Sequence, residues 1–400
     1  MKLRSLLFWT HLTAGVIAGV VILIMSATGV LLTFQQSVLK MVEGSQREVV
    51  PRAGAVRLDT DALLALVRAW SPQAQPTTIT FENDPAASVA IALGTQGTVF
   101  VNPYTGEILG TGSARARAFY RTVTSWHRYL GAEGERRAGA RAITGACNAA
   151  FLVLGITGLF IWWPRQWTKK HLGAVTVFRR GLRGKARDFN WHNTIGFWCA
   201  PVIVVLTATG MVISYTWASN LVYTITGSPR PAAARPAAAE GERPGGRSDR
   251  AGRGEAPMAV ASAPIASHVA RAAQQLPTWR TMIVRLPPRA NGPVAVSMSD
   301  RAHWNSFARS TLTLDGATGS TVRWEPYSET SPGQKLRGWM RFAHTGELGG
   351  IAGELIAGTA SLGGSFLVWT GLALSLRRFL AWLVRRRAVR QSETADARVA

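Results

Sequence analysis

Acidic residues are scarce in this chain, 22 Asp and Glu against 45 Lys and Arg in 400 residues, leaving a formal charge of +23. Cysteine is scarcer still. Only Cys147 and Cys199 occur, which excludes a disulfide scaffold, and both fall in apolar stretches where they read as small buried hydrophobes. No glycine-rich phosphate loop or dinucleotide fingerprint is present, so nothing points to NAD or FAD. The most telling absence is charge itself: residues 5–39, 142–163, 189–228 and 355–376 contain no Asp, Glu, Lys or Arg. A helix of 22 residues, the shortest of these runs, is about 33 Å long, enough to cross a bilayer core. The expected fold is therefore membrane α-helical with four transmembrane helices. A soluble globular enzyme and a collagen-like chain are excluded.

The charges that remain report orientation. Between the second and third runs lie Arg165, Lys169, Lys170, Arg179, Arg180, Arg183, Lys185 and Arg187 against the single acid Asp188, and the tail after Leu376 is rich in arginine. Short basic loops stay in the cytoplasm, so both termini and the middle loop are expected inside, and the connections 40–141 and 218–350 outside. The first run is too long for a signal peptide and no Ala-x-Ala site follows it, so it reads as an uncleaved anchor. The positive charge is thus topological, and nucleic acid is not an expected partner.

The outer connections have a grammar of their own. A helix is expected over 58–68, strands over 88–93 and 98–102, and a turn at Pro103, Tyr104, Thr105 and Gly106. Residues 228–257, rich in Pro, Ala, Gly and Arg, read as a disordered linker. Beyond it a helix is expected over 264–275 and strands over 280–286 and 294–298, followed by a strand ending at Leu314 before Asp315 and Gly316. Each outer segment therefore predicts one helix and a small antiparallel sheet.

The spans repeat. His11 precedes Thr28-Gly29 by 17 residues to the threonine, and His192 precedes Thr209-Gly210 by the same 17. More loosely, His127 precedes Thr157-Gly158 by 30 residues and His344 precedes Thr370-Gly371 by 26. A duplicated unit of span, outer domain, span follows, and it singles out four of the seven histidines. Topology puts His11 and His192 at the inner face and His127 and His344 at the outer face. Two neutral imidazoles on neighbouring helices suit the two axial positions of a haem iron. No Cys-x-x-Cys-His occurs, so any haem is non-covalent. His127 lies 15 residues before Ala142, so the chain must bend back, with Gly131, Gly134 and Gly139 available for it. His171, His268 and His303 have no repeat partner and read as solvated loop residues. Arg136, Arg137 and Arg141 read as interfacial anchors, with pairing to haem propionates as the alternative, and the matched positions of Arg141 and Glu354 would allow an ion pair.

These pieces resemble the PepSY-associated transmembrane family over nearly the whole chain. The resemblance is carried by Trp9-Thr10-His11, Ala27-Thr28-Gly29, the run from Val99 to Glu107, Trp126-His127-Arg128, Asn190-Trp191-His192-Asn193, the run from Leu312 to Gly319, and Ala343-His344-Thr345-Gly346-Glu347. Similar members include di-haem inner-membrane reductases of ferric siderophores. The resemblance implies two b-type haems whose iron ligands are His11, His127, His192 and His344. It implies a bacterial inner-membrane location, a periplasmic Fe(III)-siderophore or other chelate as acceptor, and a cytoplasmic or membrane electron donor. The expected boundaries are span 1 at 1–39, a PepSY-like domain at 40–125, span 2 with its interfacial segment at 126–163 and a basic loop at 164–188. Span 3 follows at 189–227, the linker at 228–257, a second PepSY-like domain at 258–335, span 4 at 336–378 and a basic tail at 379–400. Two other readings compete: a membrane-anchored PepSY module that binds peptides or inhibits a protease, and a haem-dependent reductase of another periplasmic acceptor.

Overall fold

The computed structural model describes residues 3–163, 168–230, 263–289, 291–303, 305 and 307–399. Residues 231–257 of the expected linker lie outside the described residues. In chain order the elements begin with α1 (Leu3–Thr33), α2 (Gln35–Val42), α3 (Gly44–Arg47) and α4 (Thr60–Trp70). Strands β1 (Thr78–Glu82), β2 (Val89–Ala92), β3 (Thr98–Val101) and β4 (Ile108–Gly110) follow. Next come α5 (Ala114–Tyr129), α6 (Arg136–Trp162), α7 (Lys169–Thr176), α8 (Gly184–Ser214), α9 (Thr216–Ile225) and α10 (Ile265–Gln275). The chain ends with β5 (Trp279–Arg285), β6 (Val294–Asp300), β7 (Arg309–Leu314), β8 (Thr321–Glu325), α11 (Pro332–Thr345) and α12 (Gly350–Val399). Two compact units result.

The first unit holds Met1–Leu39, Arg115–Val222 and Leu336–Ala400. Its frame is a ring of four helices, in which α1 and α8 each pack against both α6 and α12. These four helices are long and apolar enough to cross a membrane. Their outward faces carry Ile17, Val20, Phe160 and Trp198, all exposed, as a lipid solvent requires. Close approach inside the ring rests on small residues: Gly19 meets Leu372, and Gly364 meets Ser26 and Phe151.

Two of the apolar runs are longer than the helices they make. The run 5–39 breaks after Thr33, where α2 begins, and the run 189–228 breaks at Tyr215, which is extended (φ −116°, ψ 130°). Freedom from charge lasts longer than hydrocarbon depth, and the surplus turns into short amphipathic helices. In α9, Ala218 and Val222 are buried while Trp217 and Leu221 are exposed. At the other end α12 continues without a break through the arginine-rich tail, which holds no glycine or proline to stop it.

The second unit, Lys40–Ala114 with Tyr223–Lys335, departs from the expectation of two separate small domains. All eight strands form one antiparallel sheet in the order β4-β3-β2-β1-β5-β6-β7-β8. Each outer segment contributes a four-stranded meander, and the two join through β1 and β5, with Thr78 opposite Arg285 and Glu82 opposite Thr281. Left apart, each meander would present an open edge of unpaired amides. Alternation then builds one core: Ile79 and Phe81 of β1, Met282 and Val284 of β5, and Val294, Val296 and Met298 of β6 pack with Leu63, Leu64 and Val67 of α4 and Ala272 of α10. Matching turns close the two halves. Asn102 accepts from the Tyr104 amide at 2.9 Å, and Asp315 accepts from the Thr318 amide at 2.8 Å. Those bonds from Thr318 hold the Asp315 carboxyl below the usual carboxylate range.

His268 is a correction. It is not a solvated loop residue but lies on the buried face of α10, with Nδ1 at 2.9 Å from the Pro264 carbonyl and Nε2 at 3.0 Å from that of Asp315. The expectation failed because Ile265, Val269 and Ala272 turn that helix face into the core. His303 is half-buried against Tyr327, and His171 lies on α7, its side chain outside what the structure describes.

Candidate functional site

The four repeat-related histidines all lie in the first unit, and they meet in two pairs. The rings of His11 and His192 have centres 6.3 Å apart, and those of His127 and His344 6.4 Å apart. His11 and His192 sit on α1 and α8 themselves. His127 and His344 reach their places on separate helices, α5 and α11, which resolves their distance from the apolar runs. After α5 the chain turns through Leu130 (φ 52°), Gly131 (φ 76°) and Gly134 (φ 56°) into α6. After α11 it turns at Gly346 (φ 80°), where a Cβ would stand 3.0 Å from the Gly353 carbonyl oxygen. Gly139, the third expected bend, is inside α6.

Each histidine is seated on a Thr-Gly pair of a neighbouring span. Nδ1 of His11 lies 2.9 Å from Thr157 Oγ1 on α6, and Nδ1 of His192 lies 2.9 Å from Thr370 Oγ1 on α12. Nδ1 of His127 lies 3.0 Å from Thr28 Oγ1 on α1, and Nδ1 of His344 lies 3.3 Å from Thr209 Oγ1 on α8. The glycine that follows each threonine makes room for the ring. A Cβ at Gly210 would stand 3.1 Å from His344 Cε1, and one at Gly158, Gly371 or Gly29 would stand 3.4, 3.4 or 3.7 Å from its histidine.

The hydrogen bonds decide the tautomer. Every one of these threonine hydroxyls donates to the carbonyl four residues back: Thr28 to Ile24 and Thr157 to Val153 at 2.6 Å, Thr209 to Val205 and Thr370 to Phe366 at 2.7 Å. With its only proton so engaged, the oxygen is left to accept from the imidazole. The backbone agrees. Nδ1 of His127 is 3.0 Å from the Met25 carbonyl and Nδ1 of His344 is 2.8 Å from that of Leu206, while the carbonyls of Leu154 and Leu367 serve His11 and His192. Nδ1 therefore carries the hydrogen in all four rings. Nε2 carries the lone pair and takes no hydrogen bond among the described residues. Burial drives the His127 imidazole down to about 4 and lowers His344 as well, which favours the neutral imidazole over its charged form.

Such pairs are equipped to grip a metal. An imidazole–metal bond is about 2.0 Å and the ring nitrogen lies about 1.1 Å from the ring centre, so two imidazoles trans on one metal stand with centres about 6.2 Å apart. The observed spacings match that figure. Among the described residues no cluster of three or more His, Cys, Asp or Glu is placed to hold a bare ion. A group that brings its own four equatorial donors needs only these two, so the residues fit haem. The threonines are the oriented outer partners that metal-binding histidines ordinarily have. They went unrecognised in the sequence as histidine seats, although the fourfold Thr-Gly recurrence was their signal.

Other expected contacts fall elsewhere. Arg141 and Glu354 do not pair: Arg141 donates to the Ser214 carbonyl at 3.0 Å, and Glu354 accepts from Ser37 Oγ at 2.6 Å. Equivalent places on α6 and α12 face different neighbours, which is why spacing alone misled. Arg136 and Arg137 are exposed, Arg137 lying 4.5 Å from the Tyr129 ring centre. Near His11 and His192, buried Asp188 is gripped by Arg187 at 2.9 Å and Arg377 at 3.1 Å, one turn before His192.

A family model described as the PepSY-associated TM region matches residues 8–378, almost the entire chain and every residue of both histidine pairs. The chain belongs to that family. No curated protein matches it significantly. As a PepSY-associated TM protein it is a multi-pass membrane protein with a β-sheet region, and the match runs through both units.

Proposed function

We propose that this PepSY-associated TM protein is a di-haem electron carrier of a bacterial inner membrane, passing electrons outward to a periplasmic Fe(III)-siderophore or similar chelate. The observation that carries the reading is the matched pair of imidazole pairs, each with Nδ1 tied down and Nε2 free. His11 and His192 would hold one b-type haem and His127 and His344 the other. When bound, the haems supply one-electron carriage between the two levels.

The remaining work belongs to the chain. The threonines keep each Nε2 unprotonated, the glycines let the rings lie against the helices, and the apolar ring of spans keeps water from the path. Each of α1 and α8 carries an inner histidine and, 17 residues on, an outer threonine, so the levels are about 25 Å apart along the helix. That is close to the depth of a bilayer core. In this reading the chain is a duplicated unit with both termini cytoplasmic and the sheet unit periplasmic. The donor is a reduced one-electron carrier on the cytoplasmic or membrane side. One electron delivered to the chelate converts Fe(III) to Fe(II), which hard oxygen donors hold far less tightly, and the metal is released.

The test is a spectrum. Full-length protein from haem-replete cells should show two b-type haems per chain in a pyridine haemochrome assay. After dithionite reduction it should reoxidise on adding a ferric siderophore. A colourless preparation would overturn the proposal.

A further inference from the structure

One recess in the first unit is not used by the histidine pairs. It measures about 400 Å³ and is lined by Arg121, Thr122 and Ser125 of α5, by Glu133 and Gly134 of the following turn, and by Arg137 of α6. It is open to solvent, with Arg121, Thr122, Glu133, Gly134 and Arg137 all exposed and Ser125 half-buried. Its place on α5 matters. At about 100° per residue, Ser125, Thr122 and Arg121 leave the helix roughly 160°, 140° and 120° round from His127. α5 therefore carries the outer histidine on one side and the recess on the other, one helix diameter, about 10 Å, apart.

The chemistry of the lining is that of a receptor for carboxylates. Two guanidinium groups offer paired N–H donors that match carboxylate oxygens. Arg137 is steadied against Tyr129, with its guanidinium 4.5 Å from the ring centre, and Arg128 lies 5.3 Å from the same ring. Thr122 and Ser125 add hydroxyls that pair with hydroxyl or carbonyl groups, and Glu133 disfavours a ligand that carries negative charge alone. The exposed apolar side chains of α5 lie on a different flank. Phe119 and Trp126, 51% and 46% exposed, leave α5 about 100° round from the recess.

We propose that this recess is the docking site for the electron acceptor, and that the acceptor is an Fe(III) chelate of the hydroxycarboxylate class. The assignment rests on the reductase reading above and names the substrate class and its site. Docked there, the ferric ion stands one helix away from the outer histidine pair.

Gallium(III)–citrate, a redox-inert analogue of the ferric chelate, separates docking from electron transfer. Isothermal titration of the full-length chain in phosphatidylcholine nanodiscs should show one saturable site. Arg121→Gln and Arg137→Gln should each weaken it about tenfold, the scale of one lost charge-assisted bond. Arg115→Gln, a charge-matched change outside the recess, should leave it intact, and Thr122→Trp should block it without altering charge. Equal affinity in the Arg121→Gln/Arg137→Gln protein, or no saturable binding to the wild type, overturns the assignment. So does loss of binding when phosphatidylglycerol replaces phosphatidylcholine, because the recess would then be a lipid headgroup site. Haem-loaded protein that fails to bind gallium–citrate sinks the docking site alone. Colourless protein that binds it sinks the reductase reading and with it the acceptor role, leaving a chelate-binding recess.

Discussion

At Thr28 the hydroxyl proton goes to the Ile24 carbonyl, so the oxygen can only receive from His127. Valine there keeps the shape and removes the acceptor, leaving the His127 N–H to the Met25 carbonyl alone. Thr28→Val should still bind haem at the outer pair, with affinity lowered about tenfold, as for other lost outer partners of metal-binding histidines. Haem titration into protein made without haem measures it, and an unchanged outer affinity would show that the threonine has no orienting role. Gly210→Ala is harsher, because its Cβ would crowd His344 Cε1 at 3.1 Å and Asn148 Nδ2 at 3.2 Å. It should remove one of the two spectral components and spare the inner one. His11 and His192 could be picked out from the 17-residue spacing they share, and His127 and His344 from their looser offsets of 30 and 26 to a Thr-Gly pair. The threonines were marked only by the fourfold Thr-Gly recurrence; which histidine each one seats was not legible, because a bond from α5 to α1 leaves no local trace in either segment.

Elements differ in how plainly they announce themselves. The strands β2, β3, β5, β6 and β7 meet an expectation read from the sequence, whereas β4 has only three residues, and β1 (Thr78–Glu82) and β8 (Thr321–Glu325) alternate over just five residues that end in a charge. The pairing of β1 with β5 was beyond reach, since it links residues about 200 positions apart through unpaired edges rather than through any shared motif. A second long-range contact supports the same unit. Asp61 of α4 accepts from the amides of Ile265 at 3.0 Å and Ala266 at 2.8 Å, capping the first turn of α10, which has no side-chain cap of its own. Asp61→Ala should destabilise that helix by about 1 kcal/mol. Hydrogen exchange of those two amides should then quicken by roughly a factor of five, and unchanged exchange would mean the cap contributes nothing.

At the scale of the whole molecule, charge and apolar length made the membrane class readable before any helix was placed. Two of the four runs overshoot at their ends, where α2 and α9 split away. Orientation is the remaining expectation. Alkaline phosphatase fused after Ala400 or after Arg180 should be inactive, and the same reporter after Arg230 should be active. Activity at Ala400 would invert the direction of electron flow proposed for the chain.

The crosswise seating has a further consequence. Because α1 bears both a histidine of one pair and the threonine seat of the other, it acts as a ruler with a mark at each end. One alanine inserted midway would rotate those marks out of phase by about 100° and spoil two centres in a single stroke. A matching insertion in α8 would not restore them, since α6 and α12 keep the original registration.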